Sequence, residues 1–284
     1  MLKFLKKFET EQAPSGKVIA LMNQKGGVGK TTMAFNMAHA LSAKGHKVLC
    51  IDMDPQFNFT SLFDAPKNDK NIFHLLVNSI KELRALHTDC LLSEVVQTVR
   101  PNIDLIASGQ ELSGFELTVA GISSPRQLIL KKFIERNNLN SIYDYIVIDG
   151  PPTLGLIVVN ILCATDGVLY PFIPDSFSEQ GLRNIQQVVE DIDDMGITNT
   201  PKNLGYIPNL FENRRKQTNI DFEKIKDRFN EAEVFMPFKN KASFAKSMSS
   251  KKSVFDFEAS DYKDLQRQFL VMAEAVETKL GEVQ

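Results

Sequence analysis

A chain of 284 residues that is 43% hydrophobic holds enough apolar material for one large α/β domain or two small ones at most, and one is expected. Its net charge of −2 excludes a generally basic nucleic-acid binder, so any such binding must come from a local patch. The three cysteines (Cys50, Cys90, Cys163) and four histidines are scattered without C-x-x-C or zinc spacing, no signal peptide is visible, and no apolar run approaches the roughly 18 residues of a membrane span; a soluble, cytoplasmic protein is expected.

In chain order, residues 1–16 form an N-terminal tail in which Leu2, Phe4, Leu5 and Phe8 alternate with Lys3, Lys6 and Lys7. As a short basic amphipathic helix it could meet a membrane surface or a partner, or rest on the domain; at under three turns it is marginal alone. The domain is expected over 17–284. Residues 17–23 read as a buried strand, followed by a glycine-rich turn and a helix from Thr31 to Leu41. Further strands are predicted over 47–52, 102–107, 145–149, 167–172 and 204–210, with a helical stretch over 72–99. A helix over 178–193 places Leu182, Ile185, Val188, Val189 and Ile192 on one face, and another over 262–280 does the same with Leu265, Phe269, Met272 and Val276. Strands alternating with helices predict a mostly parallel sheet covered on both faces.

The chemistry concentrates in three segments. Lys25-Gly26-Gly27-Val28-Gly29-Lys30-Thr31-Thr32 is a phosphate-binding loop whose usual first glycine is replaced by Gln24. A strand, a glycine turn and a helix start aim backbone N–H groups and a helix dipole at an anion; Lys30 would reach the β- and γ-phosphates, the Thr31 hydroxyl would ligate Mg²⁺, and Thr32 would touch a phosphate oxygen further back. Asp52 and Asp54 lie at the carboxyl end of the second strand, where open α/β sheets bind ligands. Asp149 ends an apolar strand and is followed by Gly150, Pro151 and Pro152, the form of a Walker-B segment.

The run K-G-G-x-G-K-[ST], with D-x-D-P-Q at Asp52 to Gln56 and D-x-P-P at Asp149 to Pro152, resembles the deviant Walker-A ATPases: ParA, MinD, the plasmid partition ATPases and nitrogenase iron protein. The resemblance covers residues 17–280 and is closest to the ParA branch. It implies a slow, partner-stimulated ATP hydrolase that uses ATP and Mg²⁺ and forms an ATP-dependent homodimer. Lys25 would be the lysine that crosses to the partner subunit's phosphates. Asp54 would position the attacking water, Asp52 would lie near the Mg²⁺ water shell, and Asp149 would hold the metal through a water. Asn209 and Pro237 match positions near the adenine.

The same resemblance implies non-specific DNA binding in the ATP state, a ParB-like or cargo-adaptor partner, and association with the nucleoid. Arg214 lines up with a DNA-contact arginine and Arg215 adjoins it. Phe238 stands where the family's I-P-R-x-x-R segment has its first arginine. Lys239, Lys241, Lys246, Lys251 and Lys252 fall within fourteen residues free of acidic side chains and could replace it. The alternative is a MinD-like, membrane-associated spatial regulator. That branch anchors through a basic amphipathic C-terminal helix, whereas Glu274 to Gln284 carries too little basic and bulky apolar character, so residues 1–8 would be expected to serve instead. An electron-transfer reductase like nitrogenase iron protein would need interfacial cluster cysteines, whereas Cys50 is expected inside a strand and Cys163 inside a helix.

Overall fold

The structure, a computed structural model, describes residues 16–84, 89–212 and 214–281. The amphipathic reading of the tail therefore lies outside the described residues, apart from Gly16. Seven strands form one sheet: β1 (Lys17–Leu21), β2 (Val48–Asp52), β3 (Gln97–Arg100), β4 (Ile103–Ile106), β5 (Tyr145–Asp149), β6 (Gly167–Phe172) and β7 (Lys202–Pro208). Their spatial order is β3-β4-β2-β5-β1-β6-β7. All neighbours run parallel except β3 and β4.

Parallel strands need crossover connections, and the helices that supply them cover both faces. The central strands alternate strictly between the two cores. Ile19, Leu21, Cys50, Val147 and Leu169 face the helices Lys30–Ala43 and Ser260–Gly281. Val18, Ala20, Ile51, Ile148 and Val168 face the helices Ile129–Arg136, Leu156–Ala164 and Ser178–Met195. Burying a Val, Leu, Ile or Phe side chain contributes about 1.5–3 kcal/mol, so these two layers fix the register of every central strand. That register positions the site: Leu21 pairs with Asp149, and Asp149 with Asp52, so β1, β5 and β2 end level with one another.

The expected strands are present with bounds shifted by one or two residues. The stretch 72–99 is not continuously helical. It contains a helix Ile72–Ser79, short turns Lys81–Arg84 and Leu92–Val95, and then β3. Gln97–Arg100 is a polar, half-exposed edge strand, returned antiparallel onto β4 through Asn102 in a left-handed conformation (φ 59°). Such an edge carries little apolar periodicity, because only one of its sides is paired and neither face is fully buried.

Candidate active site at the level ends of three strands

The helix Lys30–Ala43 begins without a side-chain cap and without an acidic residue in its first turn. Its free N–H groups and the positive end of its dipole are therefore left for a ligand. Gly29 makes this possible. Its φ of 95° is a left-handed conformation, and an added Cβ would lie 2.2 Å from Asn209 Nδ2. The Asn209 amide donates to Val28 O at 2.9 Å and its main-chain N–H to Phe172 O at 2.7 Å, which ties the end of β7 to the loop. Asn209 Oδ1 is buried without a partner.

Lys30 is 7% exposed, and its ammonium donates to Lys25 O at 3.3 Å. Burial pulls its pKa down, opposed by the charges of Asp149 and Asp54. The Thr31 hydroxyl donates to Asp149 Oδ2 at 2.6 Å, whereas Asp149 Oδ1 is buried with no partner. Burial, helped by the Asp52 charge, pushes the Asp149 carboxyl well above the carboxylate range. A buried, unpaired oxygen of this kind costs about 1–3 kcal/mol. Two hard oxygen donors with an open lone pair fit Mg²⁺, which keeps waters and takes its other ligands from phosphates. Thr31 and Asp149 are the residues that would hold it.

Asp52 and Asp54 take different positions. Three donors converge on Asp52: the Asp54 N–H at 3.0 Å, the Thr60 N–H at 2.8 Å and the Thr60 hydroxyl at 2.7 Å. Burial nonetheless raises its pKa to about 6. Both oxygens of Asp52, expected near the metal's water shell, brace its own loop, and Asp149 is the carboxylate with an open oxygen. Asp54 is 7% exposed and accepts from the Gln56 N–H at 2.9 Å.

Lys25 is held within the chain. Its N–H donates to Asn23 Oδ1 at 2.8 Å, its ammonium pairs with the Asp175 carboxylate, and it lies 6.0 Å from the Phe177 ring centre. Pro237, matched to a position near the adenine, borders a cavity of about 600 Å³ with Phe211, Phe222 and Met236. Phe238 N–H donates to Pro208 O and Phe211 N–H to Phe238 O, which lays this segment along the extension of β7. A cavity of about 390 Å³ is lined by Ile173, Asp175, Leu210, Arg215 and Asn240.

The basic residues separate into two sets. Arg214, Lys239, Lys246 and Lys252 are exposed. Arg215 pairs with Glu212 at 2.6 Å, Lys241 with Asp264 at 3.3 Å and Lys251 with Asp64 at 2.8 Å. Phe238 is 1% exposed, its ring 4.7 Å from that of Phe269. That position points into the core, where an arginine has no place. Residues not singled out from the sequence are Asn23, Thr60 and Asp175. Asn23 and Thr60 lie close to the recognised motifs, but nothing in spacing announces Asp175, 150 positions from Lys25.

The chain is similar to known proteins. A family model described as an AAA domain matches residues 16–202. An uncharacterized protein of Methanocaldococcus jannaschii is 34% identical over 251 residues, 86% of this chain and 92% of the relative. The chromosome partitioning protein ParA of Myxococcus xanthus is 30% identical over 229 residues, 79% and 76% of the two chains. The sporulation initiation inhibitor Soj of Bacillus subtilis is 36% identical over 176 residues, 61% of this chain and 65% of Soj, slightly under two thirds of its length. Among solved structures, a plasmid partition protein of Borrelia burgdorferi bound to AMPPNP superposes with a TM-score of 0.72 at 25% identity, covering 93% of this chain and 99% of that one. The chain belongs to this AAA-domain family, as a ParA-type ATPase of the ParA/MinD superfamily.

Proposed function

We propose that this protein is an ATP-driven dimerisation switch. In its ATP state it binds duplex DNA without sequence preference, and it segregates or positions a plasmid, a chromosome region or a protein cargo. The observation that carries the reading is the unpaired Asp149 Oδ1 beside the Thr31 hydroxyl, beneath a helix start with no cap of its own. Lys30 and the loop N–H groups from Gly26 to Thr32 take the phosphates, Thr31 and Asp149 hold the metal, and Asn209 Oδ1 is an open acceptor for the base. A Mg²⁺ ion held by Thr31 and Asp149 would supply neutralisation of phosphate charge.

Asp54 orients the attacking water, and the products are ADP and phosphate. Asp52 holds Asp54 and Thr60 in place. Lys25 reaches the phosphates bound by a second copy, so the γ-phosphate is recognised by both subunits and favours the dimer. A ParB-like or adaptor partner stimulates the slow hydrolysis. Exposed Arg214, Lys239, Lys246 and Lys252, doubled in the dimer, supply a weak and salt-sensitive DNA surface. The MinD-like alternative rests on residues 1–8, outside the described residues; the helix Ser260–Gly281 spends Leu265, Phe269, Met272 and Val276 on the core. The test is a mobility shift on unrelated duplexes with ATP or ADP. ATP-dependent, salt-sensitive retardation is expected, and binding that ignores the nucleotide overturns the reading.

A further inference from the structure

We propose that Asp175 is a positioning residue for Lys25: its carboxylate latches the lysine in cis, and the latch must open before Lys25 can reach a nucleotide held by a second copy. This rests on the reading of Lys25 as a residue that acts across the dimer.

The latch is built on both sides. Asp175 Oδ1 accepts from the Phe177 N–H at 3.0 Å and the Ser178 hydroxyl at 3.0 Å, which fixes the carboxylate at the start of the helix Ser178–Met195. Its other oxygen, Oδ2, takes the Lys25 ammonium. Burial alone would raise the Asp175 carboxyl, but the hydrogen bonds from Lys25, Ser178 and Phe177 outweigh it and hold it below the usual range.

The loop start is seated on the same helix. Asn23 holds the Lys25 N–H with Oδ1 and donates to Pro171 O at 2.8 Å, and Gln24 accepts from the Asn184 amide. The approach depends on Gly181, where an added Cβ would lie 2.7 Å from Asn23 Oδ1 and 3.5 Å from Lys25 Cβ.

The pair is neither locked in nor free. The Lys25 and Asp175 side chains are 28% and 37% exposed, and Phe177 beside them is 74% exposed. Leaving Asp175 for a γ-phosphate exchanges one anion for another, so neither state strands a bare ammonium. Opening the pair still opposes dimerisation, twice per dimer. A monomer is thereby kept apart until nucleotide offers the replacement anion.

Asp175→Asn keeps an acceptor for Phe177 and Ser178 but removes the charge that holds Lys25. Each partly exposed pair affects an equilibrium about threefold, so the variant is expected to lower the dimer Kd about tenfold in Mg²⁺-AMPPNP at low salt. That gain should shrink as salt rises. Sedimentation velocity measures this for wild type, Asp175→Asn, Asp175→Glu and each variant combined with Lys25→Ala. Asp175→Glu, which retains the charge, should stay within about threefold of wild type. If Lys25→Ala dimerises as wild type does, the cross-dimer reading fails and the latch with it. If Lys25→Ala abolishes the dimer but Asp175→Asn leaves Kd unchanged or weaker, only the latch is overturned. A tightening that persists with Lys25→Ala also overturns it, because the gain then does not pass through the lysine.

Discussion

Thr31 and Asp149 stand 118 positions apart in the chain, yet the threonine hydroxyl donates to the carboxylate at 2.6 Å. The level ends of β1 and β5 bring them together, and the second oxygen of Asp149 is left buried and unpaired. Asp149→Asn should therefore lower Mg²⁺-dependent ATP turnover by about 100-fold or more while nucleotide-free protein keeps its circular dichroism spectrum. Steady-state phosphate release across a Mg²⁺ titration checks this. Turnover within a few-fold of wild type would remove Asp149 from the metal site.

The two lysines of the loop should separate cleanly. Lys30 is buried against the site's carboxylates, so Lys30→Ala is expected to abolish nucleotide binding or its coupling to turnover. Lys25→Ala should retain nucleotide binding and lose both the ATP dimer and hydrolysis. Calorimetry for binding and light scattering for mass distinguish the two outcomes.

Stability should fall in acid through His39. Its ring packs 4.4 Å from Phe35, and Nδ1 lies 2.8 Å from Phe35 O, while Nε2 is buried without a partner. Burial holds its pKa below the ordinary 6.5, against the raising effect of the Phe35 carbonyl. The unfolded chain therefore takes up a proton near that value and the folded chain only at lower pH. The stabilisation is complete above the unfolded pKa and is lost as pH falls through the folded one, at up to about 1.4 kcal/mol per pH unit. Urea midpoints from pH 8 to 5 should drop less steeply in His39→Phe. An equal acid slope in that variant would exclude His39.

DNA affinity should respond to each lysine according to its pairing. Lys252 is exposed, so Lys252→Ala should reduce the slope of log affinity against log salt by about 0.9 for each of the two copies in the dimer, about 1.8 in all. Lys241 is paired with Asp264 and Lys251 with Asp64, and their removal should cost less. Asp64→Asn should release Lys251 and steepen the slope by a similar amount. Fluorescence anisotropy on an unrelated duplex reads all four variants.

Phe238→Arg should not restore DNA binding. The ring sits against Phe269 and Phe244 at 4.7 and 6.2 Å, and losing a buried Phe costs about 3–5 kcal/mol before any charge is desolvated. The expected result is a lower thermal midpoint with no gain in affinity; a stable variant that binds DNA more tightly would contradict the inward placement.

The loop from Lys25 to Thr32, Asp52, Asp54 and Asp149 can be picked out in the sequence as candidates, because a glycine-rich loop with a lysine has fixed spacing and buried strands announce their ends. The central strands and the covering helices are legible for the same reason: their apolar periods of two and of three to four residues report burial directly. β3 is not, since a half-exposed edge leaves no such period. Nor are the partners: that Asp175 holds Lys25, that Thr60 braces Asp52, that Asp64 and Asp264 occupy two lysines of the basic run, or that Phe238 turns inward. Short-range chemistry is written in local spacing, whereas these pairings are set by which strand ends and helix starts the sheet order brings side by side. The sequence determined which residues are the candidates for the site. Only the tertiary structure decided which of its charges are open and which are already held.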